Sequence, residues 1–354
     1  YKSLPEGKTG NIGNAKHSIA KNFMVVTADP RATISAKRIL EAGGTALDAA
    51  ISAQMVLNLV EPQSSGIGGG AFILYYDAKT KNIYAWDGRE KAPMNFSESI
   101  FLDPNGKKKG FIEAVSGGLA VGVPSLVAML EQAHEVHGNM PWRSLFNDAI
   151  QLSKEGFIVG KRLAKLTSRA PHLKNQETAK EYFSIDSGGL REGELKKNLE
   201  FAESLELIRD NGSQAILHGK LADNILSTVI GHKNSPGVMT KNDFNFVNPL
   251  LTKPICGKYR TWKICGMGPP SSGGITILQI LGILNNFNLN SENPNDSEVW
   301  HLFLEASKLA YTDRGYYIAD SDFTDVPIED MLDEKYLKDR SKLIKKTSII
   351  LNPK

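Results

Sequence analysis

The chain has 354 residues, of which 41% are apolar and 23% charged, proportions that suit a globular protein with a sizeable core. Its net charge of +3 is too slight to point to nucleic acid or an anionic membrane surface as a partner. The longest apolar stretch, residues 47–60, is broken by Asp48, Gln54 and Asn58 and falls short of the roughly 20 residues that a membrane-spanning helix needs.

Residues 1–22 are polar and glycine-containing and read as an arm. With Tyr1 in first place and no signal-peptide pattern, the chain is expected to be a processed product. Phe23–Thr27 reads as a short strand. Asp29-Pro30 then marks a helix start, because aspartate caps free amides and proline fits the first turn. Apolar positions at helical spacing follow until Gly43-Gly44. A second helix is expected over about 46–59, apolar around most of its circumference and therefore buried. After a glycine run comes a strand, Ala71–Tyr76, a turn at 77–80 and a partner strand, Ile83–Trp86, which delivers Asp87, Gly88, Arg89 and Glu90.

Helices are expected at 124–137, 141–155 and 160–169, with a mostly polar helical stretch over 190–232. Thr240 and Asp243 resemble a capping box. Strands at 252–259 and 262–267 form a hairpin turning at Arg260-Thr261. Cys256 and Cys265 face each other in that register, which allows a cross-strand disulfide; two buried free thiols are the plainer expectation. Pro269–Gly274 is a rigid turn into a helix over 275–284, and a further helix covers about 298–312. The lysine-rich tail from Lys335 is expected to be partly mobile. Strands follow a helix pair without strict strand-helix alternation, which argues for an α+β fold.

Several motifs carry less chemistry than they suggest. Residues 66–71 fit the spacing of a dinucleotide fingerprint, but a helix precedes them and a strand follows, the reverse of what such a site requires. Their glycines are expected to permit positive φ and close backbone approach. His134 and His137 lack the spacing of a zinc-protease helix and read as a solvated helix end. Asp320, Ser321 and Asp322 form a turn without the further ligands of a calcium loop. No nucleophile elbow or Walker loop is present. No metal or cofactor is expected. Arg89 is the residue to single out. It ends a strand beside Asp87 and Glu90, and is either one member of a surface ion pair or a guanidinium fork held for a substrate carboxylate.

Four segments together resemble the γ-glutamyltransferase family, large subunit. They are Gly43–Ala50 (GGTALDAA) with Val60–Gly70 (VEPQSSGIGGG), Asp87–Pro93 (DGREKAP), Gly122–Pro124 (GVP), and Pro269–Gly274 (PPSSGG) with Glu305–Arg314 (EASKLAYTDR). Each alone is weak; four in order over some 300 residues are specific.

The resemblance implies a four-layer αββα sandwich of the N-terminal nucleophile hydrolase type, formed jointly with a small subunit cut from the same precursor. It implies an N-terminal arm at 1–22, a large-subunit domain at 23–340 and a tail at 341–354 that ends near the maturation site. The nucleophile is a threonine that begins the small subunit, so no catalytic residue is expected in this chain. The oxyanion-hole donors and the contacts to the glutamyl amine also belong to that partner.

The substrate is glutathione or a related γ-glutamyl compound, and water or an amino acid or peptide amine receives the glutamyl group. Arg89 matches the family's large-subunit arginine for the α-carboxylate. A periplasmic or secreted location is implied. A β-lactam acylase, a poly-γ-glutamate depolymerase and a non-catalytic homologue are the alternatives on the same scaffold.

Overall fold

The computed structural model describes residues 18–289, 293 and 295–347. The expected arm up to residue 17 and the tail from residue 348 lie outside the described residues. In chain order the helices and strands begin with α1 (Pro30–Glu41), α2 (Ala46–Val60), β1 (Ala71–Asp77), β2 (Asn82–Gly88), α3 (Phe111–Val115), α4 (Leu126–His137), α5 (Asn147–Glu155), β3 (Phe157–Ile158) and α6 (Lys161–Thr167). They continue with α7 (Glu177–Tyr182), β4 (Leu195–Lys196), α8 (Leu199–Asn211), α9 (Gln214–Leu217) and α10 (Lys220–Ile230). The last are β5 (Leu250–Thr252), β6 (Ile255–Tyr259), β7 (Trp262–Gly266), α11 (Gly273–Leu284), α12 (Ser297–Tyr317), α13 (Ile328–Met331) and α14 (Glu334–Ser341). The described strands form three small sheets, ordered β1-β2-β5, β3-β4 and β6-β7. Mixed helices and short separate sheets make this an α+β chain.

Contacts divide the chain into two compact units. The first comprises the described residues up to Ala71 together with Asp87–Leu250. Its first two helix starts follow the chemistry of their caps. The Asp29 carboxylate accepts from the Arg31 amide and pairs with the Arg31 guanidinium at 2.6 Å, so α1 begins at Pro30. Thr45 and Asp48 form a reciprocal capping box that starts α2. Eleven of the fifteen residues of α2 are buried, as its all-round apolar character requires. α1 and α2 lie together, and the buried hydroxyls of Ser35 and Ser52 meet between them at 2.7 Å. Ile51, Met55, Met129, Leu145, Phe146, Leu205 and Ile208 are fully buried in this unit.

The second unit comprises Phe72–Trp86 and the described residues from Leu251. Here α11 runs beside β6 and packs on α12 and α14. Ile280, Ile283, Leu284, Ala306, Leu309, Ala310 and Leu337 form one cluster. Burying each leucine or isoleucine of this cluster stabilises by about 1.5–3 kcal/mol before entropy is counted.

Several expectations need correction. Phe23–Thr27 is not a strand: the run lies unpaired, with Met24 and Val26 largely exposed, and β propensity alone does not make a strand without a ladder partner. The helix expected over 141–155 opens as a 3-10 turn, Trp142–Phe146, and becomes α-helical at Asn147. The strand expected over 252–259 is two strands, because Pro254 has no amide to donate and the ladder breaks there. Cys256 and Cys265 are paired residues of the β6-β7 hairpin and are joined by a disulfide; they are not free thiols. The tail from Lys335 is helical as far as Ser341, because Leu337 seats in the α11-α12 cluster. None of the glycines between 66 and 70 has positive φ.

Candidate functional site

Arg89 directly follows β2, and four tethers hold the main chain around it. The Asp87 carboxylate accepts from the Arg89 amide at 2.9 Å. The Ser125 hydroxyl donates to the carbonyl of Gly88. Two residues beyond Arg89, Lys91 bridges antiparallel to Val123, whose amide donates to the Lys91 carbonyl at 2.9 Å. The Met94 amide then donates at 2.7 Å to Asp243, the buried carboxylate of the capping box that Thr240 completes. The two between neutral groups contribute about 1 kcal/mol each, and a bond to a carboxylate about 1.5–3 kcal/mol where it is buried, as at Asp243. Together they fix the path of residues 87–94.

The glycines of the neighbouring motifs close on the same segment. A Cβ on Gly70 would stand 2.3 Å from a Glu90 carboxylate oxygen and 2.4 Å from the Glu90 amide nitrogen. A Cβ on Gly122 would lie 2.7 Å from Glu90 Cγ, and one on Gly88 would lie 2.4 Å from Met129 Cβ on α4. The glycine run therefore does serve close approach, at Gly70; Gly66 and Gly68 border open space. The Gly69 carbonyl accepts from the amides of Ser125 and Leu126, at 3.1 and 3.0 Å, and so ties the loop to the start of α4. Three of the four sequence motifs thus converge on Arg89 and Glu90.

Against this fixed main chain the Arg89 side chain is 56% exposed. Its Nε lies 3.3 Å from the Glu90 carboxylate. An ion pair so exposed contributes at most about 1 kcal/mol. It serves better to orient the guanidinium than to stabilise the fold. Arg89 is thus in an ion pair, and it presents its guanidinium to solvent from a rigid base.

A second anchor of the loop lies at its start. The guanidinium of Arg162 meets the Glu61 carboxylate at 3.2 Å, and Gln63 donates to the same carboxylate. Arg162 and Glu61 are 10% and 7% exposed, so this is a buried charge pair. Nothing in the sequence set Arg162, a hundred residues away, beside Glu61.

The fourth motif closes within the second unit. Pro269–Gly274 contains a cis Pro269-Pro270 peptide, and Arg314 of α12 donates to the Ser272 hydroxyl at 2.8 Å. Gly274 crosses the main chain of Gly266 and Met267, where a Cβ would lie 2.3 Å from the Met267 carbonyl oxygen. On α12, Asp313 is buried and accepts from Gln279, Tyr336 and Arg340.

The other sequence candidates resolve as structure. His134 is not a solvated helix end. It is 15% exposed, its Nε2 lies 3.3 Å from buried Asp48, and its ring meets Trp142 edge-on. Asp320 turns the chain by accepting from the Asp322 amide. Among the described residues no group of three or more His, Cys, Asp or Glu side chains could hold a metal, and no helix is long and apolar enough to cross a membrane.

Comparison with known proteins fits this arrangement. The Gamma-glutamyltranspeptidase family model matches residues 32–353. The chain belongs to the gamma-glutamyltranspeptidase family. It is 37% identical over 353 residues to the glutathione hydrolase proenzyme of Bacillus subtilis strain 168, covering all of this chain and 58% of that protein. The chain thus spans somewhat over half the length of that relative. The structure of Helicobacter pylori gamma-glutamyltranspeptidase superposes with a TM-score of 0.89 at 31% identity, covering 95% of each chain. The cephalosporin acylase of Bacillus halodurans shares the fold at a TM-score of 0.76 and 26% identity, covering 89% of this chain and 58% of that one.

Proposed function

We propose that this chain is the large subunit of a γ-glutamyl hydrolase and transpeptidase, and that Arg89 holds the α-carboxylate of the glutamyl donor. One observation carries the assignment: residues 87–94 are tethered along their length and pressed by Gly70 and Gly122, while the guanidinium between those tethers stays open to solvent. A rigid base under an exposed fork suits bidentate capture of a carboxylate. A γ-glutamyl donor carries that carboxylate at the end remote from its scissile amide. Fixing it places the γ-carbonyl before the nucleophile, which is catalysis by positioning.

In this reading residues 23–340 are the large-subunit domain, and the remainder of the precursor supplies a small subunit that completes a four-layer αββα sandwich. A threonine at its start attacks the γ-amide, with its own α-amine as the nearest base. The amine leaves and a γ-glutamyl ester forms. Water then yields glutamate, or an amino acid or peptide amine yields a new γ-glutamyl amide. Glutathione is the donor most in keeping with the relatives' names. Export to the periplasm or medium belongs to the same proposal.

Kinetics of the matured enzyme with a chromogenic γ-glutamyl anilide test the role of Arg89. Lysine keeps the charge but not the fork, so Arg89→Lys should lose a contact worth roughly 2–5 kcal/mol, seen as a fall in kcat/KM. An unchanged kcat/KM would reject the assignment. The likeness to a cephalosporin acylase supports a second reading, hydrolysis of an acylated β-lactam. A glutaryl β-lactam assayed beside the anilide separates the two, and turnover of the β-lactam alone would favour the second.

A further inference from the structure

Ser125 occupies the N-cap position of α4, yet its hydroxyl makes no bond to the free amides of that helix. Capping is the usual gain from serine at this position. The hydroxyl donates instead to the carbonyl of Gly88, the peptide group that leads into Arg89. The Ser125 amide meanwhile donates to Gly69. One residue, 7% exposed, therefore joins the glycine loop, the start of α4 and the end of β2.

Gly88 has no side chain to wedge its peptide plane in place, and α4 passes so close that none would fit. An orientation left open by glycine must be fixed by a bond to the peptide itself. The N–H of the same peptide, that of Arg89, donates to the Asp87 carboxylate, so Ser125 holds the carbonyl end of a plane that Asp87 holds at its amide end; the next tethers downstream act at Lys91 and Met94. The plane before Arg89 sets where its Cα stands, and a small rotation there is magnified at the far end of a long side chain. Bidentate recognition tolerates little such error.

We infer that Ser125 is a positioning residue that aims Arg89 and thereby sets the preference for donors with a free α-carboxylate. The inference rests on the reading of Arg89 given above.

Its test uses the full precursor, matured, with two probes: a γ-glutamyl anilide and the same anilide with its α-carboxylate converted to a carboxamide. Ser125→Ala should raise KM for the free acid about three- to tenfold, the net effect of one lost hydrogen bond, with kcat changed by less than about twofold. Selectivity for the acid over the carboxamide should fall by the same factor. Ser125→Thr keeps the hydroxyl and should keep the selectivity. An unchanged KM in Ser125→Ala overturns the inference, and so does a lower kcat with selectivity intact, which is the mark of a merely structural serine. Loss of selectivity in Ser125→Thr, or failure of both variants to mature, overturns it too. Arg89→Ala is measured alongside. If it loses selectivity while Ser125→Ala does not, the inference about Ser125 alone fails; if Arg89→Ala keeps selectivity, the underlying reading fails.

Discussion

Its chemistry and its place after a strand single out Arg89 in the sequence, but spacing alone leaves it between an ion pair and a ligand holder. The contacts show the ion pair directly, and the proposed ligand role rests on how the segment is held. Glu90 lies against the Nε edge of the guanidinium, and the burden of fixing the segment falls on main-chain bonds and on small neighbours. Gly70 is the most exacting of those neighbours. Two of the atoms nearest its would-be Cβ are the Glu90 amide nitrogen and the Gly88 carbonyl oxygen, at 2.4 and 2.6 Å, and main-chain atoms cannot swing aside. Gly70→Ala should therefore destabilise by about 1–3 kcal/mol, as overpacking does, and should raise KM for a γ-glutamyl donor. Gly68→Ala, whose Cβ would enter open space, is the matched control. Melting temperature and donor kinetics of the two check the claim, and equal behaviour would contradict it. A run of glycines in a sequence does not say which member meets another chain segment, so Gly70 was not legible there; neither were Ser125 and Arg162.

The elements were legible wherever the signal was local. Asp29-Pro30 and the Thr240–Asp243 box start their helices where cap chemistry places them, while the Thr45–Asp48 box that starts α2 came only from the structure. The β6-β7 register followed from the turn at Arg260-Thr261 and brought Cys256 opposite Cys265, although their oxidation did not follow. Signals failed where partners are distant. Phe23–Thr27 has the composition of a strand and no ladder, and α14 has a tail's composition and a seat for Leu337.

That seat has a titratable consequence. Partial burial, then the hydrogen bond to the Asp313 carboxylate, pushes the Tyr336 phenol from its ordinary 10.0 up to about 12. The folded chain thus keeps a proton that the unfolded chain begins to release near pH 10. The contribution is whole below that pH and is lost as pH rises toward about 12. The difference in melting temperature between wild type and Tyr336→Phe should favour wild type at pH 9 and shrink steadily across that window. A difference independent of pH would refute the linkage.

For the whole molecule, the chain's coverage of little more than half of the Bacillus subtilis proenzyme is the fact that bears most on the proposal. If a second polypeptide from the same precursor performs the attack, intact mass spectrometry of the matured protein should find two chains, and N-terminal sequencing of the second should begin with threonine. A single uncut chain with full activity toward the γ-glutamyl anilide would exclude the scheme.

By itself the sequence determined the broad class, the cap-defined helices, the order of the four motifs and hence the family, because these depend on residue types at short spacing. Only the tertiary structure decided that residues 66–70, 87–94 and 122–125 are one assembly, that Arg162 braces Glu61, and that the two cysteines are joined. Close approach between segments far apart in the chain depends on the packing of whole elements, and no local pattern encodes it.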